Sequence, residues 1–219
     1  VDTYKAGRAE TPDELLQQFE IVKETLEVLG IQSVSIPGYE ADDILATYAA
    51  KAKKENISSI IVTGDRDSYQ LVSDPFVKVL YNRRGVSDYV LYDEDGIRQR
   101  TGVAPSDYVT YAALRGDKSD NLPGIPGVGE KTAAKLVNEY GTLDEIFGAA
   151  DKQTPKLRSN LEENEQLARL NVELMTLVDD VPTDVTLEGL KPKSPQITDI
   201  KNLFERLELR TLYQRLGEI

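Results

Sequence analysis

The apolar residues of the first 92 positions alternate between helical and extended spacing. Apolar positions recur at helical intervals from Leu15 to Leu29, after a capping signal at Thr11, and the pattern ends at Gly30. The strand patterns IQSVSIP and SSIIVTG follow, with a helical pattern beginning at GYEADD between them, and VKVLY and YVLY surround a turn-like NRRGVSD. This alternation predicts an α/β fold with a mostly parallel central sheet and helices on both faces.

The second half of the sequence is mainly helical. From about residue 93 the strand signal fades, and short helical patterns with glycine stops take its place, followed by two longer amphipathic patterns. The stretch PTDVTLEGLKPKSP between these two patterns is the best candidate for a linker. We therefore expect an α/β core over residues 1–92 and a helical subdomain over residues 93–219.

The residue types that the sequence lacks restrict its chemistry. The chain has no Cys and no His, which excludes disulfides, thiolate metal sites and histidine catalysis. Catalysis would have to use carboxylates, Lys, Arg, Tyr or a metal held by oxygen atoms, and such sites suit Mg²⁺ or Mn²⁺. The net charge of −12 differs from the basic footprint of most nucleic-acid-binding proteins. Carboxylates gathered around metal ions would reconcile an acidic chain with nucleic-acid binding, because bound metals make the local charge positive.

Two groups of acids follow neighbouring strand patterns. Glu40, Asp42 and Asp43 lie after the first pattern and open a helix, whereas Asp65 and Asp67 directly follow SSIIVTG. Since ligands bind outside the carboxyl ends of parallel strands, we expect both groups at one edge of the sheet, where so much negative charge needs a cation. Each group alone also has a structural interpretation, because acids commonly cap helices and turns. Their joint occurrence favours a metal site.

A third group of acids precedes a glycine-rich segment. Asp117 and Asp120 lie in RGDKSDNLPG, for which the alternative is an ordinary turn before a proline. The following LPGIPGVGEKTAAKLV places closely spaced glycines before a helix start, an arrangement that lets backbone approach phosphate. It resembles a helix-hairpin-helix over about residues 114–140, a sequence-independent clamp on the DNA backbone. The candidate DNA contacts of this clamp are Gly124, Gly127, Gly129, Lys131, Thr132 and Lys135.

The N-terminal stretch TYKAGRAETPDE places an aromatic ring and two cations before the first helical pattern. Tyr4 would suit stacking on a base, and Lys5 and Arg8 would suit contacts to phosphate. The alternative is a solvated terminal stretch, because exposed Lys and Arg are the norm. The motif therefore gains weight only in combination with the acids and the clamp.

The strings YKAGR, PGYEADD, TGDRDSYQL and GDKSDNLPGIPGVGEKTA carry a family resemblance along nearly the whole chain. Their order and spacing resemble the flap-endonuclease-like 5′ nuclease family, in particular the 5′-3′ exonuclease domain of bacterial DNA polymerase I. The resemblance implies a PIN-like nuclease core and metal-dependent hydrolysis of DNA at 5′ flaps, nicks and gaps in replication and repair. It also implies a monomeric protein of the bacterial cytoplasm, with a polymerase domain after Ile219.

The resemblance also implies a role for each matching residue. It implies two or more Mg²⁺ or Mn²⁺ ions, and potassium on the carbonyls of the clamp turn. The implied direct ligands are Asp42, Asp65 and Asp67 with Glu40 or Asp43, and the second-ion group contains Asp117 and Asp120. Lys5 matches a lysine that approaches the scissile phosphate, and Arg8 matches a nearby phosphate contact.

The chain departs from this family at its N-terminus. Relatives begin with strands that carry two further aspartates, and Val1 lies after both, so we expect these strands to be disordered, cleaved or omitted. No apolar run approaches the roughly 20 residues of a membrane span, so we expect no membrane partner. Two alternative functions remain: a non-catalytic duplex-DNA-binding module and a phosphohydrolase of small nucleotides.

Overall fold

A computed structural model describes residues 11–85 and 87–215 of the chain. These residues form two compact units, one spanning 39–181 and the other combining 11–38 with 182–215. The expected boundary near residue 92 falls inside the first unit. The helices are α1 (Asp13–Val28), α2 (Ala41–Lys54), α3 (Glu94–Thr101), α4 (Tyr108–Arg115), α5 (Glu130–Tyr140), α6 (Leu143–Gly148), α7 (Pro155–Met175), α8 (Ile197–Arg206) and α9 (Arg210–Arg215). The strands are β1 (Ser59–Thr63), β2 (Val77–Arg84), β3 (Asp88–Tyr92), β4 (Gly116–Asp117) and β5 (Leu122–Pro123).

The main sheet of the first unit has the order β1-β2-β3. β1 pairs in parallel with β2, with Ile61 opposite Val79, whereas β2 and β3 form an antiparallel hairpin with Leu80 opposite Leu91. Helices accompany this sheet, and the predicted α/β class is confirmed. Because β1 and β2 are parallel, both strands end at the same edge of the sheet, and the turn that carries Asp65 and Asp67 follows β1 there.

The side chains of β1 alternate between core and solvent. Ile61 is buried in the core of the first unit, whereas Ile60 and Val62 are 59% and 67% exposed. The apolar run SSIIVTG predicts a strand that is buried on both faces. The strand is confirmed, but the prediction of burial is wrong for the face that carries Ile60 and Val62. Successive side chains of a strand point to opposite faces, and the helices of the first unit pack against the face that carries Ile61.

Residues 31–36 have no regular secondary structure, so the strand predicted from IQSVSIP is wrong. Ile31 donates its backbone N–H to Leu26 O at 2.8 Å, as part of the end of α1. An extended apolar pattern becomes a strand only when a neighbouring strand satisfies its backbone, and pairing of this kind is a long-range contact.

Tyrosine rings form the centre of the core in the first unit. Tyr69 is buried and meets the rings of Tyr81, Tyr92 and Tyr108 edge-on, each at a centroid distance of 5.4 Å. Edge-to-face contacts of this kind stabilise a core beyond the burial of area alone. Since Tyr69 belongs to the short 3₁₀ helix Asp67–Leu71, the cluster fixes the turn that follows β1.

α4 is the central helix of the first unit's helical part. It packs against α5 and α7, and it buries Tyr111, Ala113 and Leu114. The buried Asn171 of α7 donates from Nδ2 to Ala113 O at 3.0 Å and to Pro123 O at 2.9 Å. One amide therefore ties the end of α4 to β5, across the loop that carries two of the candidate acids.

The second unit is built on α1 and α8. Ile200, Leu203 and Phe204 of α8 are buried, with Val28 and Leu29 packed against them. The N-terminal half of α1 leaves much of its predicted apolar face exposed to solvent, including Leu15, Phe19 and Val22. Within residues 11–85 and 87–215, no helix is both long enough and apolar enough to cross a bilayer.

Replacing Asn171 by Ala should lower the free energy of unfolding by about 2 kcal/mol, because two carbonyls would lose a buried donor. Urea or thermal unfolding measures this loss. Asn164→Ala is a matched control, because Asn164 Nδ2 donates to Asn160 O one turn away in the same helix. A loss no larger than that of the control would contradict the bridging role of Asn171.

Candidate functional site

A network of short hydrogen bonds shapes the turn after β1. The backbone N–H of Asp65 donates to Thr63 Oγ1 at 3.0 Å, and the N–H of Asp67 donates to Asp65 Oδ1 at 2.9 Å. Ser68 Oγ, which is buried, donates to Asp65 O at 2.7 Å. Such side-chain-to-backbone bonds explain why Asp and Ser are favoured in tight turns. The turn presents Asp65 to solvent and places Asp67 deeper in the unit.

The loop with Asp117 and Asp120 is closed by a two-residue pairing of β4 with β5. Gly116 has a φ of 79°, and a Cβ added to Gly124 would lie 2.0 Å from Arg115 O, so both positions require glycine. Asp117 Oδ1 accepts the backbone N–H of Ser119 at 2.7 Å. The loop is therefore fixed to the end of α4 with its acids turned toward Asp67.

The acids at the start of α2 have different surroundings. Asp43 Oδ1 accepts the N–H of Val178 at 2.9 Å, and Asp43 Oδ2 accepts the N–H of Glu40 at 3.1 Å. Glu40 and Asp43 form a capping box, in which each side chain accepts the backbone N–H of the other residue. Both oxygens of Asp43 thus bind the chain itself, whereas Asp42 is one of the acids whose charge acts on Asp67.

Burial raises the pKa of Asp67 to about 7, and the negative charges of Asp65, Asp117, Asp120 and Asp42 add to this effect in that order. We call these five residues the acidic cluster. Two turns and the start of a helix, far apart in sequence, contribute the five acids. Only Asp65 and Asp67 follow a strand of the main sheet, because the strand predicted before Asp42 is absent. A carboxyl with so high a pKa is held in a field that a cation would relieve.

The acidic cluster offers oxygen atoms alone, which suits a hard divalent cation. Among the residues that the structure describes, no three Asp, Glu, His or Cys side chains lie close enough together to hold one ion. Mg²⁺ commonly takes one or two carboxylates and keeps several waters, so a dispersed set of acids fits it better than a closed cage would. The cluster therefore fits hydrated divalent ions.

The glycine-rich segment forms a turn between two buried anchors. Ile125 and Val128 are buried, and Val128 N donates to Ile125 O at 3.0 Å. Gly127 has a φ of 78° at the exposed tip, and Gly129 is the N-cap of α5 with open space around it. Lys131 and Lys135 are exposed on α5 and Thr132 is half-buried, whereas Gly124 serves the loop contact with Arg115.

Two arginines of the site were not predicted from the sequence. Arg66 and Arg115 line a cavity of about 750 Å³ together with Asp65, Asp117 and Asp120. Arg115 NH2 lies 3.5 Å from Asp117 Oδ2, and its side chain is mostly buried. The sequence does contain one signal that could have identified both arginines, because each of them lies within two residues of an acid of the cluster.

The predicted N-terminal contacts Tyr4, Lys5 and Arg8 lie outside the described residues. The other candidates divide into two groups. The acidic cluster and the clamp belong to the first unit, and the loop closed by Gly116 and Gly124 carries Asp117 and Asp120 and leads into the clamp. Glu40 and Asp43 lie at the start of α2 and are committed to its capping box.

Comparison with protein families matches almost the whole chain in two consecutive parts. Residues 1–102 match the N-terminal resolvase-like domain of 5′-3′ exonucleases, and residues 103–198 match their C-terminal SAM fold. DNA polymerase I of Mycobacterium bovis is 47% identical over 213 residues, which are 97% of this chain and 24% of that protein. The thermostable DNA polymerase I of Thermus thermophilus is 37% identical over 216 residues, which are 99% of this chain and 25% of that protein. The chain thus spans about a quarter of the length of these relatives.

Solved structures share the fold at lower identity. The zinc-bound T5 5′-exonuclease superposes with a TM-score of 0.69 at 23% identity, over 94% of this chain and 77% of that chain. The catalytic core of Rad2 in complex with DNA superposes with a TM-score of 0.61 at 20% identity, over 90% of this chain and 65% of that chain. These similarities establish the α/β fold with a helical C-terminal part.

The acidic cluster should make the stability of the metal-free protein depend on pH. The pKa of Asp67 is about 7 in the folded state and near 3.8 in the unfolded chain, so the folded state holds an extra proton between these values. The unfolding free energy should fall as pH rises from about 4 to about 7 and remain low above that. Asp67→Asn mimics the protonated form and should be more stable than the parent at pH 8 by up to about 4 kcal/mol.

Urea unfolding in EDTA at pH 5 and pH 8 tests this. The advantage of Asp67→Asn should shrink at pH 5, and Mg²⁺ should stabilise the parent more than the variant. Asp179→Asn provides the control for a general change in charge, because Asp179 lies outside the acidic cluster. An equal effect of pH on the parent and on Asp67→Asn would count against the raised pKa.

Proposed function

The chain belongs to the 5′-3′ exonuclease family, and we propose that it hydrolyses DNA phosphodiesters at 5′ flaps, nicks and gaps in replication and repair. The acidic cluster carries this proposal. A carboxyl whose pKa is raised by burial and by four neighbouring acids supports a site built for divalent cations. The clamp beside it supports a substrate much larger than a free nucleotide.

We propose two or more Mg²⁺ or Mn²⁺ ions as the cofactor. Asp42, Asp65 and Asp67 are the proposed direct ligands, and Asp117 and Asp120 the proposed second group, acting in part through water. Glu40 or Asp43 completes the first group in the family resemblance, and both side chains also accept backbone N–H groups in the capping box of α2. When bound, a pair of such ions activates a water nucleophile and neutralises the leaving oxygen without histidine.

The clamp would hold duplex DNA beside the acidic cluster. The open backbone at Gly129 leaves room for a phosphate, and the start of α5 directs its first N–H groups toward it. Lys131, Thr132 and Lys135 would add contacts to the DNA backbone, and a potassium ion on the turn carbonyls belongs to the same proposal. These groups would contact the DNA backbone and not the bases, so the shape of the DNA and not its sequence would determine where it is cut.

Residues and segments outside the acidic cluster and the clamp also belong to the proposed function. Tyr4, Lys5 and Arg8 would contact the strand that enters the site. The core over residues 1–92 would supply Asp42, Asp65 and Asp67, and the helical subdomain over residues 93–219 would supply Asp117, Asp120 and the clamp. The relatives are about four times as long, which supports a covalently linked polymerase domain. We place the protein in the bacterial cytoplasm, at the nucleoid, as a monomer.

A labelled 5′-flap duplex tests the reaction. We expect cutting near the junction with Mg²⁺ or Mn²⁺, and a loss of cutting in EDTA. Asp67→Asn should lower the rate by about 100-fold or more with little loss of DNA binding, because the ion it holds acts on the transition state. Cutting that persists in EDTA, or equal cutting of single strands without a duplex, would refute the proposal. Binding without any metal-dependent cutting would instead favour a non-catalytic duplex-binding module.

The clamp makes a separate prediction about salt. Replacing both Lys131 and Lys135 by Ala should weaken duplex binding equally for all sequences and reduce the slope of log affinity against log salt by up to about two. Titrations at several salt concentrations on two unrelated duplexes measure this. The exposed Lys54 and Lys201, both replaced by Ala, form the control. An unchanged slope in the clamp variant, or a new sequence preference, would contradict the assignment.

A further inference from the structure

Two guanidinium groups converge on one oxygen atom in the lining of the cavity. Arg66 NH1 lies 3.6 Å and Arg115 NH1 lies 3.8 Å from the same atom, Glu130 Oε1. The two arginines come from different elements, since Arg66 belongs to the turn after β1 and Arg115 ends α4. The position of this oxygen therefore marks a point where an anion meets two cations at once.

Arg115 is held in place before any ligand arrives. Its Nε donates to Gly116 O at 3.0 Å, and its guanidinium lies over the ring of Tyr111 at 5.4 Å from the centroid. Its NH2 lies 3.5 Å from Asp117 Oδ2, which leaves NH1 directed toward Glu130. A guanidinium fixed in this way loses little conformational freedom when it binds an anion.

Glu130 is a replaceable occupant of this position. It is the first residue of α5, its side chain is 53% exposed, and both of its arginine contacts are longer than a hydrogen bond. Half-exposed ion pairs contribute little free energy. A phosphodiester offers two anionic oxygens that guanidinium groups bind in paired hydrogen bonds, so it would compete well with one carboxylate oxygen.

The surroundings of this position suit a nucleic-acid strand. The cavity of about 750 Å³ runs from Asp65, Asp117 and Asp120 to Gly129 at the clamp. A strand with one phosphate at the acids would pass Arg66 and Arg115 on its way to the clamp. The two arginines would offset the repulsion between the acids and the DNA backbone.

We propose that Arg66 and Arg115 form a subsite for one phosphate of the substrate strand, and that Glu130 occupies this subsite in the absence of nucleic acid. This inference rests on the proposed function, because it places the phosphate in the strand whose neighbouring linkage is cut. Glu130 thereby competes with DNA and lowers its affinity. The subsite positions the strand between the acidic cluster and the clamp.

Single neutral linkages in the DNA identify such a subsite. We would measure binding of flap duplexes that carry one methylphosphonate at each linkage near the junction, in Mg²⁺, with Asp67→Asn as the parent so that the DNA stays intact. Arg66→Met, Arg115→Met and Glu130→Gln would be added to this parent one at a time. Arg158→Met is the matched control, because Arg158 pairs with Glu162 on α7, away from the cavity.

One linkage should weaken binding to the parent by about tenfold when it is neutralised. This penalty should disappear in Arg66→Met and in Arg115→Met, and it should persist in Arg158→Met. Glu130→Gln should bind the unmodified duplex about threefold more tightly, because a competing charge is lost. Arg115→Lys should keep part of the penalty, because it keeps the charge but not the paired geometry.

Two results would overturn the subsite. One is a set of penalties that stays the same in both arginine variants, and the other is weaker binding by Glu130→Gln than by the parent. Arg66 is only half-buried, so Arg66→Met decides the question even where Arg115→Met impairs folding. Cleavage by the unmodified protein, measured in parallel, separates the two proposals. A protein that binds DNA with the expected pattern but does not cut it would refute the nuclease function alone.

Discussion

The close contact between Gly116 and Gly124 determines the geometry of everything that follows α4. A Cβ on Gly124 would lie 2.0 Å from Arg115 O, and a Cβ on Gly116 would lie 2.2 Å from Gly124 N, so the two strands of the loop touch as bare backbone. The contact turns Asp117 and Asp120 toward Asp67 and sends the chain on into the clamp turn. One backbone constraint therefore positions both the acids and the start of α5 relative to α4.

Two arginines lie among the acids of this site, although the whole chain carries a net charge of −12. Arg66 lies between Asp65 and Asp67 in sequence, and Arg115 contacts both Asp117 and Glu130. Net charge describes solubility and long-range steering, but it does not give the sign of the field inside one cavity. An acidic chain can therefore bind a polyanion, provided that cations and arginines act where the strand lies.

The sequence predicts the parts of the fold that depend on local pattern. Helical spacing identified α2 and α5, and the turn residues after β1 correctly placed Asp65 and Asp67 at a strand end. Prediction from the sequence failed where pairing with a distant segment decides the structure, as at residues 31–36, which have no regular secondary structure. The hydrogen bond from the N–H of Val178 to Asp43 is another long-range contact that the sequence pattern does not reveal, because the two residues are 135 positions apart. The convergence of Arg66 and Arg115 on Glu130 also joins three separate elements, which periodicity does not reveal.

Asp67 connects the stability of the fold to its chemistry. The backbone that carries its carboxyl is held in place, because the N–H of Asp67 is bound to Asp65 and the tyrosine cluster packs on the 3₁₀ helix that Asp67 begins. At neutral pH the unfavourable charge can then be relieved in two ways, by a proton or by a cation. Folds retain such a carboxyl where a ligand supplies the compensation, because a purely structural residue would be replaced at no loss. The rigidity that makes Asp67 costly without a ligand also holds it ready for one.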